Sequence, residues 1–388
     1  MSEPLGLLTD EQEKFRAQVC DLLCEAPVRA EVARARRVPL EQEPGLLDLH
    51  RRLGERGWLA PNWPPEYGGL GATIVEQAIL SEELIRHWVP DNVHTLGIDI
   101  VGLALHLFGT GEQKARLLPG LARGETTASV LFSEPEIGSD LASLTTRAEP
   151  DGDGWRLYGR KVYSMKTHLS DFALCAARTS SGPVSYHGIT LFVVPLRSVG
   201  VGIEPLWNLT EERFDDVTLG GIRVTRADVL GEVDDGWQVV NQVLPLERTG
   251  IDSAAKAARL LDALLRHARE TGRLSDPAYA HRLLDLDARV RAARLLAWRC
   301  VLNLRDGKPD EVHSASAKWY TTEVAKELSG LALEVAGLDG ALDARDEAAV
   351  AGGVFDAAYR EAPGLTLAAG TSEIMLYFVG TSGLGLPS

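Results

Sequence analysis

The chain has 388 residues, of which 45% are hydrophobic and 24% charged, a composition that excludes a disordered or fibrous protein. A chain of this length can bury a large core without disulfide or metal cross-links. Its formal net charge of −15 argues against nucleic acid as the main partner, because that affinity comes largely from Lys and Arg that neutralise phosphates.

Cysteine usage predicts a reduced compartment. The four cysteines, Cys20, Cys24, Cys175 and Cys300, are too few and too scattered for a disulfide framework. The Cys-x3-Cys pair has no His or Cys companion at zinc-finger spacing, so we expect no metal site. The N-terminal sequence shows no secretory pattern, and no apolar run approaches the roughly 18 residues of a membrane span. We therefore expect a cytoplasmic protein without a membrane partner.

The first third of the chain is predicted to be helical. Thr9 and Gln12 have the spacing of a capping box ahead of an amphipathic run. The same helical spacing recurs at 45–58, 73–88 and 97–122. A stretch rich in Pro and Gly at 61–69 excludes regular structure between them.

Near residue 128 the pattern changes to that of a small antiparallel β domain. Short runs rich in β-branched and aromatic residues alternate with Gly, Asp and Pro, at 155–158, 172–177, 189–194 and 214–217. Long helical periods return after Gly236, at 237–270, 277–305 and 312–336. The predicted fold is mainly α with a central β domain, and the predicted domains are 1–126, 127–235 and 236–388.

Three sequence blocks resemble the acyl-CoA dehydrogenase family. Residues 131–140, Leu-Phe-Ser-Glu-Pro-Glu-Ile-Gly-Ser-Asp, are similar to its flavin-binding signature. Residues 216–237 are similar to the link into its C-terminal helices, and residues 369–375, Ala-Gly-Thr-Ser-Glu-Ile-Met, resemble its C-terminal Gly-Thr-Ser-Glu-Ile motif. Smaller matches fill the gaps, so the resemblance covers essentially the whole chain.

The resemblance implies an N-terminal helical domain, a central β domain and a C-terminal four-helix bundle, with FAD shared across a subunit contact. Transferred by position, the implied FAD contacts are Val130, Phe132, Ser133, Tyr163, Met165, Arg273, Gly337, Thr371 and Glu373. The implied contacts to the acyl thioester are Ser139, Arg248, Ala369 and Gly370.

The catalytic base is expected at Glu247. Removing an α-proton from a thioester needs a carboxylate against that carbon, with the carbonyl polarised by hydrogen bonds. Many relatives carry a Glu immediately before the Gly-Thr-Ser motif, but this chain has Ala369, whose methyl group cannot accept a proton. A minority place the base in a hydrophobic-x-x-Glu-Arg segment, which matches Leu244-Pro245-Leu246-Glu247-Arg248. Taken alone, a Glu-Arg pair on a helix is more often a solvated ion pair.

Other positions depart from the family pattern. Tyr163 replaces the usual Trp, and its ring can still cover a flavin face. Met165 replaces the usual Thr or Ser and offers no hydroxyl donor to flavin N5. The usual Arg-x-x-Phe-Gly segment is absent near 266–275, where Arg273 is the candidate substitute, and Leu376 replaces a customary Arg.

The resemblance implies α,β-dehydrogenation of an acyl thioester, with flavin N5 taking the β-hydride and an electron-transfer flavoprotein as acceptor. A non-catalytic subunit of a heteromeric complex and a flavin monooxygenase on the same scaffold stay open as alternatives. Small residues at Ala368 and Ala369 favour a branched, cyclic or otherwise bulky acyl group. CoA and acyl-carrier protein are both open as carriers, as are a homodimer, a homotetramer and a heteromer.

Overall fold

A computed structural model describes residues 6–38, 42–90, 95–210 and 212–387, except for the side chain of Glu247. The chain divides into two compact units. A helical unit comprises Met1–Pro39, Ala72–Pro90 and Arg248–Ser388. A β-containing unit comprises Leu40–Gly71 and Asp91–Glu247.

The α-helices, numbered in chain order, are α1 (Asp10–Cys24), α2 (Ala26–Ala35), α3 (Asp48–Gly54), α4 (Ile74–Arg86), α5 (Leu103–Phe108), α6 (Gly111–Ala122), α7 (Gly236–Glu247), α8 (Ile251–Glu270), α9 (Pro277–Arg305), α10 (Glu311–Ala336), α11 (Val354–Leu365) and α12 (Ser372–Phe378). The strands are β1 (Ala128–Leu131), β2 (Arg147–Asp151), β3 (Gly154–Met165), β4 (Phe172–Arg178), β5 (Ile189–Pro195), β6 (Val201–Leu206), β7 (Phe214–Thr225) and β8 (Val229–Leu230).

The β-containing unit is built on one sheet with the order β6-β7-β3-β2-β4-β5-β8. The expected antiparallel pairing is present between β2 and β3, β3 and β7, β4 and β5, β5 and β8, and β6 and β7. However, β1 runs parallel to β4, and β2 makes one parallel pair with β4, so the sheet is mixed. Inward-facing residues such as Leu157, Phe192 and Ile222 form its apolar core.

The helical stretch predicted at 97–122 is interrupted. A π-helical segment, Leu96–Gly102, leads into α5, which ends at Phe108. Thr110 then caps α6 by accepting a hydrogen bond from the backbone N–H of Gln113 at 3.2 Å. A Ser, Thr, Asp or Asn side chain at such a position favours a new helix start over continuation. The helix predicted at 45–58 is likewise shorter and spans only Asp48–Gly54.

Helices α8, α9, α10 and α11 share one apolar core, which includes Leu264, Leu286, Leu328 and Phe355. These are the helices of the expected C-terminal bundle. The run predicted at 237–270 is divided between α7 and α8, because Gly250 adopts a left-handed conformation (φ +81) at the N-cap of α8. Glycine reaches that conformation without steric cost.

A buried ion-pair network joins α1, α4 and α9 within the helical unit. Glu82 of α4 is only 1% exposed. It accepts hydrogen bonds from Arg16 of α1 at 3.1 Å and from Arg294 of α9 at 2.6 Å. Burial alone would raise the pKa of Glu82, but the two guanidinium groups lower it below its ordinary value. The carboxylate therefore stays ionised, and its ion pairs connect α4 to both α1 and α9.

Within the described residues, no helix combines the length and the apolar character needed to cross a membrane.

Candidate active site

The end of β1 and the flavin-signature segment that follows it are bound through their backbone carbonyls. Ser164 Oγ donates to the carbonyl of Val130 at 3.0 Å, and Lys161 Nζ donates to that of Phe132 at 3.0 Å. The carbonyl of Ser133 accepts from the backbone N–H of Val162 at 3.0 Å. Because β3 takes up these acceptors, the groups that the segment can offer a ligand are backbone N–H groups and the Ser133 hydroxyl.

A buried ion pair fixes the same segment. The Glu134 carboxylate accepts from Lys161 Nζ at 2.9 Å, and from the backbone N–H groups of Thr145 at 2.7 Å and Thr146 at 2.8 Å. Lys161 is 0% exposed. Burial alone would raise the pKa of Glu134, but Lys161 and the two threonines lower it to about 2. The carboxylate is therefore ionised at neutral pH and holds the signature loop against β3.

A bulge in β3 presents Tyr163 to the surface. The register against β7 slips between Lys161 and Ser164, so the bulged stretch contains one extra residue. Tyr163 has φ +57 and its side chain is 60% exposed, although its ring lies 6.5 Å from that of Phe214 in an edge-to-face pair. Bulges redirect side chains near active sites, and a positive φ on a bulky residue is a strained exception that persists where function favours it. Met165 follows, half-buried, at the end of the strand.

Ser139, the predicted thioester contact, is exposed in the loop that follows the signature. The loop begins with a tight turn in which Glu134 and Ile137 exchange backbone hydrogen bonds at 2.8 and 3.0 Å. It ends where Ser143 Oγ donates to the Asp140 carboxylate at 2.6 Å. Both ends of the loop are therefore fixed, and Ser139 is presented to solvent between them.

In the helical unit, one face of α10 binds two of the predicted substrate segments. Ser314 Oγ donates to the backbone carbonyl of Arg248 at 2.6 Å. One helical turn later, Lys318 Nζ donates to the backbone carbonyl of Gly370 at 2.5 Å. A Cβ atom added to Gly370 would lie 3.8 Å from the guanidinium carbon of Arg248. Arg248 and Gly370 are therefore neighbours, because residues i and i+4 share one face of a helix.

The C-terminal motif starts with two left-handed residues and continues as a capped helix. Ala369 has φ +53 and Gly370 has φ +96, and a Cβ atom at Gly370 would approach the methyl carbon of Met375 to 2.6 Å. The positive φ of Gly370 is a conformation that glycine adopts without steric cost. Thr371 then caps α12 by accepting from the backbone N–H of Ile374 at 3.2 Å. Ala369 and Glu373 are both exposed beside this turn.

The remaining predicted cofactor residues lie elsewhere in the helical unit. Gly337 ends α10 with φ +70 and ψ −153. It lies 19 residues beyond Lys318, which is about 28 Å along a helix. Arg273 is exposed, with its guanidinium 5.5 Å from the ring centre of Tyr279. One chain therefore brings together Arg248, Ala369, Gly370, Thr371 and Glu373, but not Gly337.

The predicted base is only partly described. The backbone of Glu247 forms the last residue of α7, whereas its side chain lies outside the described part of the structure. Its chain neighbour Arg248 is bound to α10 as above.

Sequence reasoning missed the residues that hold these segments in place. Lys161 could have been found, because it shares the inward face of β3 with Leu157, and a lysine on such a face needs an ionic partner. Lys318 belongs to a segment, Ala-Ser-Ala-Lys, noted only for its resemblance. The backbone carbonyls that these two lysines bind lie 29 and 52 residues away, and no local pattern identifies them.

The residues present fit a flavin. The β-containing unit offers an exposed aromatic ring on a bulge, next to a segment whose carbonyls are already bound. That combination suits a planar ring system with a polar edge. In the helical unit, nothing lies within 4 Å of the position of a Cβ atom on Gly337, so the helix end there is open to a ligand.

Comparisons with known proteins agree across the chain. Residues 9–125 match the family model for the acyl-CoA dehydrogenase N-terminal domain, residues 129–218 that for the middle domain, and residues 234–384 that for the C-terminal domain. The acyl-CoA dehydrogenase FadE26 of Mycobacterium tuberculosis is 30% identical over 401 aligned residues, which cover 98% of each chain.

Solved structures give the same result. The ChsE4-ChsE5 complex from Mycobacterium tuberculosis matches with a TM-score of 0.87 and 28% identity, over 100% of both chains. A structure named the Tcur3481-Tcur3483 steroid ACAD matches with a TM-score of 0.87 and 28% identity, over 100% of this chain and 99% of the other. The chain thus belongs to the acyl-CoA dehydrogenase family, whose members are FAD-dependent oxidoreductases that act on CH–CH bonds of acyl-CoA esters.

Proposed function

We propose that this chain dehydrogenates a bulky acyl-CoA ester between its α and β carbons, and that Glu247 removes the α-proton. Membership of the family supplies the reaction class. Ala369 occupies the position where many relatives carry the base, so the proton acceptor has to come from another part of the chain.

The observation that carries this assignment is the face of α10 that binds both substrate segments. Ser314 binds the backbone of Arg248, and Lys318 binds the backbone of Gly370. Glu247 directly precedes Arg248 in the chain. This arrangement supports Glu247 as the replacement for a base at 369, because its chain neighbour is fixed beside the loop that carries that position.

Two further roles follow from the same geometry. Lys318 fixes the orientation of the peptide after Gly370, and we assign the N–H group of the neighbouring Ala369 to polarising the thioester carbonyl. The guanidinium of Arg248, next to Gly370, is assigned to orienting the substrate. Ser139, exposed at the tip of its loop, is assigned to the pantetheine arm.

FAD, when bound, supplies the acceptor for the β-hydride. We assign its ring contacts to Val130, Phe132, Ser133, Tyr163 and Met165. Gly337, Thr371, Glu373 and Arg273 are assigned to the dinucleotide part. Because about 28 Å of helix separates Lys318 from Gly337, residues from both ends of α10 reach a single cofactor only if it is extended or shared between subunits. An electron-transfer flavoprotein is the proposed acceptor.

The acyl group is proposed to be alicyclic or otherwise bulky. Ala368 and Ala369 are small and exposed, which leaves room beside the reacting carbons. One structural relative at 28% identity is named a steroid ACAD, and that name supports a polycyclic acyl group here. CoA esters of straight-chain, branched and steroid side-chain acids, together with one acyl-carrier-protein thioester, form the panel that tests this preference.

Anaerobic mixing of the FAD-loaded protein with this panel tests the function itself. We expect bleaching of the flavin absorbance by at least one ester, and a loss of about 10²–10⁴-fold in its rate in Glu247→Gln, the usual contribution of a positioned general base. Glu270→Gln is the matched control, because Glu270 ends a helix as Glu247 does. The Glu270 side chain is exposed. Unchanged bleaching in Glu247→Gln would remove this residue from the mechanism.

A specific observation also favours a second candidate, a subunit of a heteromeric complex. The family's Arg-x-x-Phe-Gly segment is missing, Leu376 stands in place of an Arg, and structural relatives at 28% identity are named as two-component assemblies. Native mass spectrometry of the chain, expressed alone and with a second family member, separates the two. A yellow homomer that turns over acyl-CoA argues against the heteromer, whereas a colourless chain that gains FAD only with its partner supports it.

A further inference from the structure

Four side chains with metal-binding chemistry converge between α1 and α4 in the helical unit. Cys20 Sγ donates to the Glu83 carboxylate at 3.3 Å, and Cys24 Sγ lies 3.9 Å from His87 Nε2. The ligand atoms of Cys20, Glu83 and His87 all lie within 4.8 Å of one another. None of these residues has a part in the proposed dehydrogenation.

Helical geometry explains why the four residues converge. Cys20 and Cys24 are four residues apart on α1, and Glu83 and His87 are four residues apart at the end of α4. Residues i and i+4 project from the same face of a helix, and α1 packs against α4. Two ligand pairs on two packed helices therefore face each other across the interface.

The spacing agrees with a tetrahedral metal site. Bonds of 2.3 Å to sulfur and about 2.0–2.2 Å to nitrogen and oxygen place neighbouring ligand atoms about 3.3–3.8 Å apart in a tetrahedron. The observed distances of 3.3 Å from Cys20 to Glu83 and 3.9 Å from Cys24 to His87 bracket that range. Cys24 lies outside the group of three whose ligand atoms are all within 4.8 Å of one another, so its side chain has to rotate towards Cys20 and Glu83 to complete the site.

The hydrogen bonds of His87 determine which ring nitrogen has a lone pair available for a metal ion. Nδ1 lies 2.9 Å from the backbone carbonyl of Glu83, and since a carbonyl only accepts, Nδ1 carries the proton in the neutral ring. Nε2 then directs its lone pair towards Cys24. Metal-binding histidines commonly donate their other ring nitrogen to a backbone carbonyl in this way.

Charge balance is compatible with a bound divalent cation. Arg16 Nε lies 3.3 Å from the Glu83 carboxylate, and both side chains are buried. With two thiolates, one carboxylate and a divalent ion, the ligand set carries one net negative charge. The guanidinium of Arg16 neutralises that charge, so the occupied site adds no uncompensated charge to the interior.

We propose that Cys20, Cys24, Glu83 and His87 bind one zinc ion that joins α1 to α4. Two sulfur ligands and one imidazole select zinc over magnesium or calcium, which prefer oxygen ligands. The spacing of cysteines and histidines along the sequence predicted no metal site, because two of the four ligands come from a helix about 60 residues further along the chain.

Binding exchanges protons for the ion. Each thiol loses its S–H proton as its Zn–S bond forms, so two protons are released per ion, while Glu83 and His87 bind as the carboxylate and the neutral ring. Burial and the neighbouring Glu83 raise the pKa of the Cys20 thiol to about 12. This thiol therefore carries its proton at neutral pH until an ion displaces it.

The test is metal content and spectroscopy of the full chain with its FAD. Protein purified under reducing conditions, stripped with a chelator and desalted, is expected to retain one equivalent of added Zn²⁺ by elemental analysis. Substituted Co²⁺ is expected to show thiolate charge-transfer bands and visible bands of tetrahedral intensity. Zinc is also expected to raise the Tm of the stripped protein.

The variants Cys24→Ser and His87→Gln distinguish a site from adventitious binding, because both side chains reach the surface and tolerate a polar substitute. Each should lose the cobalt spectrum and the Tm response while keeping its FAD. Cys300→Ala, which removes a buried cysteine of α9, is the matched control and should behave as the wild type. Failure of the wild type to retain zinc, or equal retention in Cys24→Ser and His87→Gln, would overturn the proposal whatever the dehydrogenase activity shows.

Discussion

Each of the two units holds a segment that we predict to bind ligand in the same way, through a buried lysine that donates to a backbone carbonyl. In the β-containing unit, Lys161 donates to Phe132 and forms an ion pair with Glu134. In the helical unit, Lys318 is 6% exposed and donates to Gly370. The difference lies in the partner that each lysine contacts, since Lys161 forms a direct ion pair with a buried carboxylate, whereas Lys318 donates to a backbone carbonyl and lowers the pKa of the Glu323 carboxylate.

Because of this difference, we expect a change at Lys161 to affect mainly the stability of the fold and a change at Lys318 to affect mainly catalysis. Loss of the cation from a buried ion pair leaves an uncompensated charge, which costs about 3–5 kcal/mol, whereas loss of one hydrogen bond to a carbonyl costs about 1–3 kcal/mol. We therefore expect changes at Lys161 to damage the fold of the signature segment, and changes at Lys318 to damage mainly the geometry of the loop that carries Ala369 and Gly370.

The largest expected effect on stability comes from Lys161→Met. It should lower the free energy of unfolding by about 3–5 kcal/mol, because Glu134 stays buried without its cation. Arg160→Gln is the matched control, since Arg160 is the neighbouring residue and its side chain is 59% exposed to solvent, so its ion pair with Asp216 should contribute little to stability. Urea unfolding measures both. If Lys161→Met lowered the free energy of unfolding by no more than Arg160→Gln does, the buried ion pair would not hold the segment.

The double variant Lys161→Met, Glu134→Gln sharpens this prediction. It removes the uncompensated charge, so part of the stability lost in Lys161→Met should return. Additive losses would show instead that the two side chains act independently.

Acid should weaken the same segment in a defined window. The pKa of Glu134 is about 2 in the folded protein and near 4.5 without its partners. A depressed pKa stabilises the fold above the unfolded value, and this stabilisation is lost as pH falls from about 4.5 towards 2. The Tm difference between wild type and Glu134→Gln should therefore be largest at neutral pH and shrink below about pH 4.5. A difference that is constant with pH would contradict this account.

A smaller effect on stability, about 1–3 kcal/mol, is expected from Lys318→Met. Flavin reduction by an acyl-CoA ester should slow at the same time, because the peptide that follows Gly370 loses its hydrogen bond to Lys318, while FAD content stays the same. Lys326→Met on the same helix is the control, since Lys326 forms an exposed ion pair with Glu323. Unfolding curves and rapid-mixing absorbance separate the two effects.

The smallest effect is expected at the bulge. Tyr163→Ala should weaken FAD binding by about 0.5–1.5 kcal/mol, which is about 2–13-fold in Kd, while Tyr163→Phe keeps the ring and the affinity. Titration of the stripped protein with FAD, followed by flavin fluorescence, measures this. Equal affinity in both variants would remove Tyr163 from the cofactor site.

Much of the fold follows from local patterns. The capping box at Thr9 and Gln12 is confirmed. The helices predicted at 277–305 and 312–336 are confirmed as α9 and α10 to within one residue. Such patterns depend on residues within one helical turn of each other, and these can be read directly from the sequence.

Features that depend on contacts between residues far apart in the chain could not be predicted from the sequence. The parallel pairing of β1 with β4 joins segments 44 residues apart, and the pair between Lys161 and Glu134 spans 27 residues. The break after Glu247 depends on Gly250, where an added Cβ atom would lie 3.5 Å from the backbone of Ala317. The domain limits at 126 and 235, the cytoplasmic location and the individual site residues stay predictions.

The rate of flavin bleaching in Glu247→Gln, Ala369→Glu, measured against Glu247→Gln alone, tests the central claim most directly. If the base of this enzyme is at 247 and the loop at 369 faces the same carbon, the second change should restore part of the rate lost in the first. A Glu247→Gln protein that bleaches as fast as the wild type would contradict the account.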